Sequence, residues 1–323
     1  MRSAEGQTAG PADPIAVAPL VDHHQHLFSP ATAALISAAP IDGRALVAHL
    51  DDAGIARAAV LSVAYTWGKA DRPVDDEYDQ VRATNDWTSA QVGRSPDRLC
   101  GCCGVNPLRD YALDELARCA AEPALRHVAY GLKLHFGNSA VDYHDPRHVA
   151  RVQRIFRAAN GYGMAIVVHM RSSISRKLPY GRDAARVFLD ELLPAAPDVP
   201  VQIAHLGGAG GYADDPPVDP ALSVFVDAIT ARDPRVRRLL FDVTNAVSPQ
   251  APPDELGLIA RRIRELGIER VLYGSDAALP GNTPRECWAV FRRLPLSAAE
   301  FRAVAGSVAP YMLVPHDLKV SGA

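Results

Sequence analysis

The feature that most restricts the fold of this chain is an alternation: short β-branched or apolar runs are separated by amphipathic stretches along almost its whole length. That pattern is the mark of repeated β/α units. Eight strand candidates can be counted, at Leu20–His26, Ala58–Ala64, Leu99–Asn106, Gly131–Phe136, Ala165–His169, Val201–His205, Leu239–Thr244 and Arg270–Ser275. Helical periodicity covers Arg44–Ala53, Asp79–Val92, Leu113–Ala120, Pro146–Asn160, Arg182–Leu193, Ala221–Ala231 and Asp254–Leu266 between them, and Pro284–Arg293 and Ala298–Gly306 after the last. Eight evenly spaced strands with helices between them predict one α/β domain, a (β/α)8 TIM barrel, rather than two doubly wound halves. The glycines at 207, 208, 210 and 211 lack the G-x-G-x-x-G order and read as a tight strand-to-helix loop. The expected barrel spans residues 20–314. Residues 1–19 read as a flexible tail, with a remnant of an export segment as the alternative, and 315–323 as a C-terminal tail.

Composition excludes several classes of function. Apolar residues make up 48% and charged residues 22%, the balance of a chain with a sizeable core and not of a disordered one. Lys+Arg is 34 against 37 Asp+Glu, so no global field attracts a phosphate backbone or an anionic membrane, and neither is expected as a partner. No apolar run approaches the roughly 18 residues needed to span a bilayer. The early segment Ile15–Ala18 is too short for a secretory core, so the expected location is the cytoplasm, with the periplasm or secretion as the alternative if a signal peptide has been removed. A small-molecule substrate is the expected partner, and assembly into a homo-oligomer is left open. The five cysteines, Cys100, Cys102, Cys103, Cys119 and Cys287, are odd in number and three crowd one strand. They predict a thiol-rich interior and no disulfide framework, and C-G-C-C has no second cluster with which to hold zinc.

In a barrel the carboxyl ends of the strands carry the chemistry. There the first strand ends in Asp22-His23-His24-Gln25-His26, the fourth contains Lys133 and His135, the fifth ends at His169, the sixth at His205, and Asp276 follows the eighth. Alternation along a strand puts His24 and His26 on one face. Two imidazoles near the barrel axis make half of a zinc site, to which His169 can add a third nitrogen and Asp276 an oxygen, leaving a position open for water.

The ordered set DHHQH, KLH, VVHMR, AHLGG and YGSDA resembles the amidohydrolase superfamily, specifically its amidohydrolase-2 branch of metal-dependent hydrolases and related decarboxylases, from about Val21 to Tyr311. The resemblance implies a TIM barrel with His24, His26, His169 and Asp276 around a divalent metal, and His205 beside the substrate. It implies metal-activated water in hydrolytic members and metal-assisted C–C chemistry in decarboxylases.

Residue chemistry agrees with it. Bound Zn2+ lowers the pKa of its water from about 15.7 to about 7, and Asp276 can coordinate the ion or act as base and then acid. His205 would polarise the scissile carbonyl or carry protons, or else be a core histidine bonded to a backbone carbonyl. Lys133 stands in an apolar strand of a chain with four lysines beside thirty arginines. It can stay cationic and hold an anionic substrate, the favoured reading, or be carbamylated and bridge a second metal, as in binuclear members of the superfamily. His135, on the same face, is a reserve ligand. Arg171, in the basic loop after the fifth strand, is the expected carboxylate clamp, with pairing to an acidic neighbour as its alternative. Tyr65 and Trp67 can form an aromatic wall or cap the barrel, and Thr244 and Asn245 are polar contacts of equal standing. The expected activity is metal-dependent hydrolysis of an amide, ester or lactone in a small carboxylate-bearing substrate with one divalent ion, read as Zn2+. The alternative is non-oxidative decarboxylation of a carboxylated ring.

Overall fold

The computed structural model describes residues 17–69, 71–212, 214–277 and 282–313. Nearly all of the expected N-terminal tail and the whole expected C-terminal tail lie outside them. The chain runs β1 (Val21–Gln25), α1 (Pro30–Ile36), α2 (Gly43–Ala53), β2 (Arg57–Leu61), α3 (Glu77–Val92), β3 (Leu99–Gly104) and α4 (Ala112–Ala121). It continues through β4 (Gly131–His135), α5 (Phe136–Ser139), α6 (Pro146–Gly161), β5 (Ala165–His169), α7 (Arg182–Val187) and β6 (Val201–Ile203). The last elements are α8 (Val218–Thr230), β7 (Leu239–Asp242), α9 (Pro253–Leu266), β8 (Val271–Leu272), α10 (Pro284–Phe291) and α11 (Ala298–Gly306).

The eight strands are parallel and hydrogen-bonded in sequence order. The ring closes through backbone bonds between β1 and the β8 segment, His23 N–H to Tyr273 O at 2.9 Å and Asp276 N–H to His24 O at 2.8 Å. Buried Asp22 strengthens this seam. One carboxylate oxygen accepts from the His24 and Ser275 amides, the other from the Ser275 hydroxyl and the Gln25 amide. The expected (β/α)8 architecture is therefore present.

Local chemistry sets the helix ends. Thr283 with Glu286 and Ser297 with Glu300 form capping boxes at α10 and α11, satisfying amides that would otherwise lack partners. Asp145 caps α6, with Pro146 in its first turn. The expected helix Arg182–Leu193 leaves α geometry after Val187 and passes through a π turn at Phe188–Leu192, since Pro194 has no N–H to continue the ladder.

The outer core lies between strands and helices, where residues such as Val60, Leu132, Ile166 and Phe241 meet Leu50, Leu116, Phe156 and Phe225. Each such burial contributes roughly 1.5–3 kcal/mol. Inside the barrel, Ala59, Leu61, Cys100, Cys102, Val167 and Leu272 pack against Ala309, Tyr311 and Met312 from beyond α11, which leaves the opposite end for polar side chains. One cysteine expectation is corrected: Cys103 of β3 and Cys119 of α4 form a disulfide, because the β3–α4 connection folds the helix back over its own strand. Cys100 and Cys102 are buried and take no part in this disulfide.

Candidate active site

At the carboxyl ends of the strands lies a cavity of about 240 Å3, whose lining includes His24, His26, Tyr65, Lys133, His135, His169, His205 and Asp276. Seven of the eight side chains singled out as catalytic, substrate-binding or metal-ligating thus share one space; Arg171 does not line it.

The β1 pair reaches the cavity through an irregularity. Register with β2 shifts between Asp22 and Gln25, and a bulge of this kind re-aims side chains at a barrel rim. Ligand atoms of His24, His26 and Asp276 come within 4.8 Å of one another. His26 Nδ1–H donates to Leu61 O at 2.6 Å, which leaves the lone pair on Nε2 facing Asp276 Oδ1 at 3.5 Å. His24 Nδ1 bonds Asp242 Oδ2 at 3.1 Å, so the Nε2 lone pair of this ring too points inward. His169 lines the same cavity but stands outside that cluster, stacked on His135 with ring centroids 3.9 Å apart.

Asp242 is the functional residue that the sequence reading passed over. It ends β7 fully buried, accepting from His24 and Gln202 on Oδ2 and from the His205 and Thr244 amides on Oδ1. Burial alone would raise its pKa, but the hydrogen bonds from the His24 ring and the His205 amide hold the carboxyl below the usual carboxylate range. A carboxylate closing a β-strand was the available signal, masked by its apolar neighbours.

His205 follows β6 in a 3-10 turn, with φ of 55° at His205 and 50° at Leu206. Non-glycine residues adopt this left-handed region at a cost of roughly 1–2 kcal/mol each, offset here by the His205 amide bond to Asp242. The His205 ring donates Nδ1–H to Thr244 O at 2.9 Å. The carbonyl partner considered for a core histidine is therefore present, yet the ring still fronts the cavity, offering a basic Nε2. A neutral ring in this tautomer accepts protons and cannot donate one to a carbonyl.

Burial sets the charge states. It drives His26 down to about 3 and holds His24, His135 and His169 well below the ordinary imidazole value; the Lys133 ammonium adds to the effect on all four. Burial also lowers Lys133 to about 8, against the pull of Asp242 and Asp276, and lifts Asp276 to about 7, against Lys133. The imidazoles are consequently neutral, the form that binds metal.

This donor set fits a divalent cation. An unprotonated Nε2 and a carboxylate oxygen 3.5 Å apart are two acceptors, whose facing lone pairs call for a positive charge between them. The partners that His24 and His26 have on their other nitrogens are those that orient metal-binding imidazoles. Lys133 Nζ, 3.2 Å from His24 Nε2, supplies a competing positive charge at one of these lone pairs.

Arg171 is paired with an acidic neighbour, the alternative considered for it. Arg171 is 7% exposed, and its guanidinium grips Asp215 with both arms, Nε to Oδ2 at 2.5 Å and Nη2 to Oδ1 at 3.0 Å. It also lies over the Tyr180 ring, 4.6 Å from the centroid. Its fork is spent on the loop that follows β6. Tyr65 forms a cavity wall 5.1 Å from His135, whereas Trp67 packs with Ala64 and Val81 and donates to Thr84. Thr244 acts through its backbone carbonyl, and Asn245 lines a neighbouring cavity beside Tyr273 and Cys287.

A family model described as amidohydrolase matches residues 21–309. No curated protein matches the chain. Among solved structures, 5-carboxyvanillate decarboxylase from Sphingomonas paucimobilis is 18% identical, with 89% of this chain and 96% of that one covered and a TM-score of 0.60. A probable 2-pyrone-4,6-dicarboxylic acid hydrolase from Acinetobacter baumannii is 16% identical, with 88% and 96% covered and a TM-score of 0.55. A 5-carboxyvanillate decarboxylase from Novosphingobium aromaticivorans, complexed with manganese, is 14% identical, with 86% and 82% covered and a TM-score of 0.56. At these identities the likeness speaks for the fold. Among the described residues no helix is long and apolar enough to cross a membrane.

Proposed function

The chain belongs to the amidohydrolase family, and from that membership we propose that it is a metal-dependent hydrolase cleaving an amide, ester or lactone bond in a small carboxylate-bearing substrate. The observation that carries this reading is the convergence of His24, His26 and Asp276 within 4.8 Å at the cavity. These residues would hold one divalent ion, read as Zn2+, with His169 beside them. Such an ion supplies Lewis-acid polarisation and activates water at neutral pH.

The chain's own groups do the rest. Asp276, whose carboxylate faces His26 across the cavity, can take a proton and return it. His205 Nε2 accepts a proton while Thr244 O and Asp242 fix the ring. Lys133 offers the substrate's anionic group its positive charge. Phe28, Val63 and Tyr65 wall the space.

That apolar and aromatic wall also suits a carboxylated aromatic ring, which favours decarboxylation as the second reading. Metal-loaded protein, supplied with Zn2+ or Mn2+, should be assayed against carboxylated lactones, amides and aromatic acids. Incorporation of water oxygen into product supports hydrolysis and CO2 release supports decarboxylation. A protein that takes up no metal and turns over none of the panel would end both readings.

A further inference from the structure

We propose that His135 is a substrate-contacting hydrogen-bond donor, locked as the Nε2–H tautomer, which with the Lys133 ammonium forms a carboxylate-receiving pair on β4. The inference deepens the proposed function and rests on it only for the identity of the reaction.

The tautomer follows from geometry. His135 ends β4 and caps the short helix α5, where the Asn138 backbone amide donates to His135 Nδ1 at 3.1 Å. A backbone N–H can only donate, so Nδ1 must carry a lone pair, and a ring bonded in this way has its single proton on Nε2. The ring lines the cavity, where a substrate oxygen can meet that N–H.

The ring is also held in place. It stacks on His169 at an interplanar angle of 17°, and Tyr65 packs tilted against it. A Cβ at Gly137 would crowd this packing, sitting 3.0 Å from Arg171 O and 3.3 Å from His135 Cε1. A ring whose Nδ1 is taken by the main chain is poorly placed to serve as the reserve ligand, which would need a free lone pair toward the metal.

The polar lining then divides by hydrogen-bonding sense. His26, His205 and Asp276 present acceptors, whereas Lys133 and His135, two residues apart on one strand face, present donors. A substrate with a carboxylate or enolate oxygen remote from the reacting bond would place that oxygen on β4, which turns its reacting carbon toward the acceptor side.

The test uses full-length protein labelled with 15N-histidine. Long-range proton–nitrogen correlation spectra should show His135 with Nδ1 unprotonated and Nε2 protonated, and benzoate, as a simple carboxylate probe, should shift the Nε2–H signal. His135→Asn keeps a good helix cap and should weaken benzoate binding about 10- to 100-fold, the loss of one charge-assisted hydrogen bond, while Zn2+ affinity stays unchanged. An Nδ1–H tautomer, a Nε2–H signal indifferent to benzoate, or loss of Zn2+ affinity in His135→Asn would each overturn the inference. If the tautomer and the benzoate response hold in a protein that binds no metal, the metal-dependent function fails and the donor role of His135 stands.

Discussion

Asp242 sits behind His24: its Oδ2 receives the Nδ1 proton of that ring at 3.1 Å, and its Oδ1 holds the His205 amide at 2.9 Å. One buried carboxylate thus orients a cavity-facing imidazole and anchors the backbone that carries the His205 ring. Asp242→Asn should lower Zn2+ affinity about 10- to 100-fold, as loss of such an orienting partner does, with the barrel still folded. Competition against a chelator measures it, and unchanged affinity would remove Asp242 from the site. His24→Ala should go further, losing bound metal and activity together; full metal occupancy in that variant would overturn the ligand assignment.

His205→Asn should leave metal content nearly unchanged while kcat falls about 10²- to 10⁴-fold, the usual worth of a positioned acid–base group. Elemental analysis beside kinetics separates the roles. If His205→Asn and His169→Asn lose metal equally, His205 is a ligand.

Lys133→Met distinguishes the two states of that lysine. As a cation 3.2 Å from His24 Nε2, Lys133 repels an incoming metal, so its removal should raise Zn2+ affinity and weaken binding of anionic substrate analogues. A carbamylated Lys133 predicts the reverse, a second metal equivalent present in wild type and missing from the variant. Titration with Zn2+ and elemental analysis give the answer.

Arg171→Ala should cost stability and spare the substrate. Breaking its bidentate pair leaves Asp215, whose side chain is 13% exposed, without its partner. The expected loss is about 3 kcal/mol, read as a lower denaturant midpoint, with KM for a carboxylate substrate unchanged. A raised KM at unaltered stability would restore the clamp.

Much of the fold was legible because buried parallel strands and amphipathic helices leave different periodicities. β5 was readable to the residue, as an apolar run ending in His169 with turn signals around it. β8 was read as longer than its two regular residues, because an apolar run does not reveal where ladder bonding gives way to the backbone contacts that join Gly274–Asp276 to β1. The π turn after α7 and the cap formed by His135 were not legible for the same kind of reason, since they depend on which backbone amide finds which acceptor.

For the site, the sequence by itself determined most of the side chains that line it and its end of the barrel. Histidines recurring at successive strand ends must meet once the strands close around an axis, whatever the details of packing. Only the tertiary structure decided which nitrogen of each imidazole faces the cavity, that Asp242 supports two of these residues, and that Arg171 belongs to Asp215. It also decided that Cys103 meets Cys119, sixteen residues on. These outcomes rest on partners brought together from different strands and loops, and a hydrogen bond or ion pair forms with whichever group lies within about 3 Å in space, a distance that spacing along the chain does not encode.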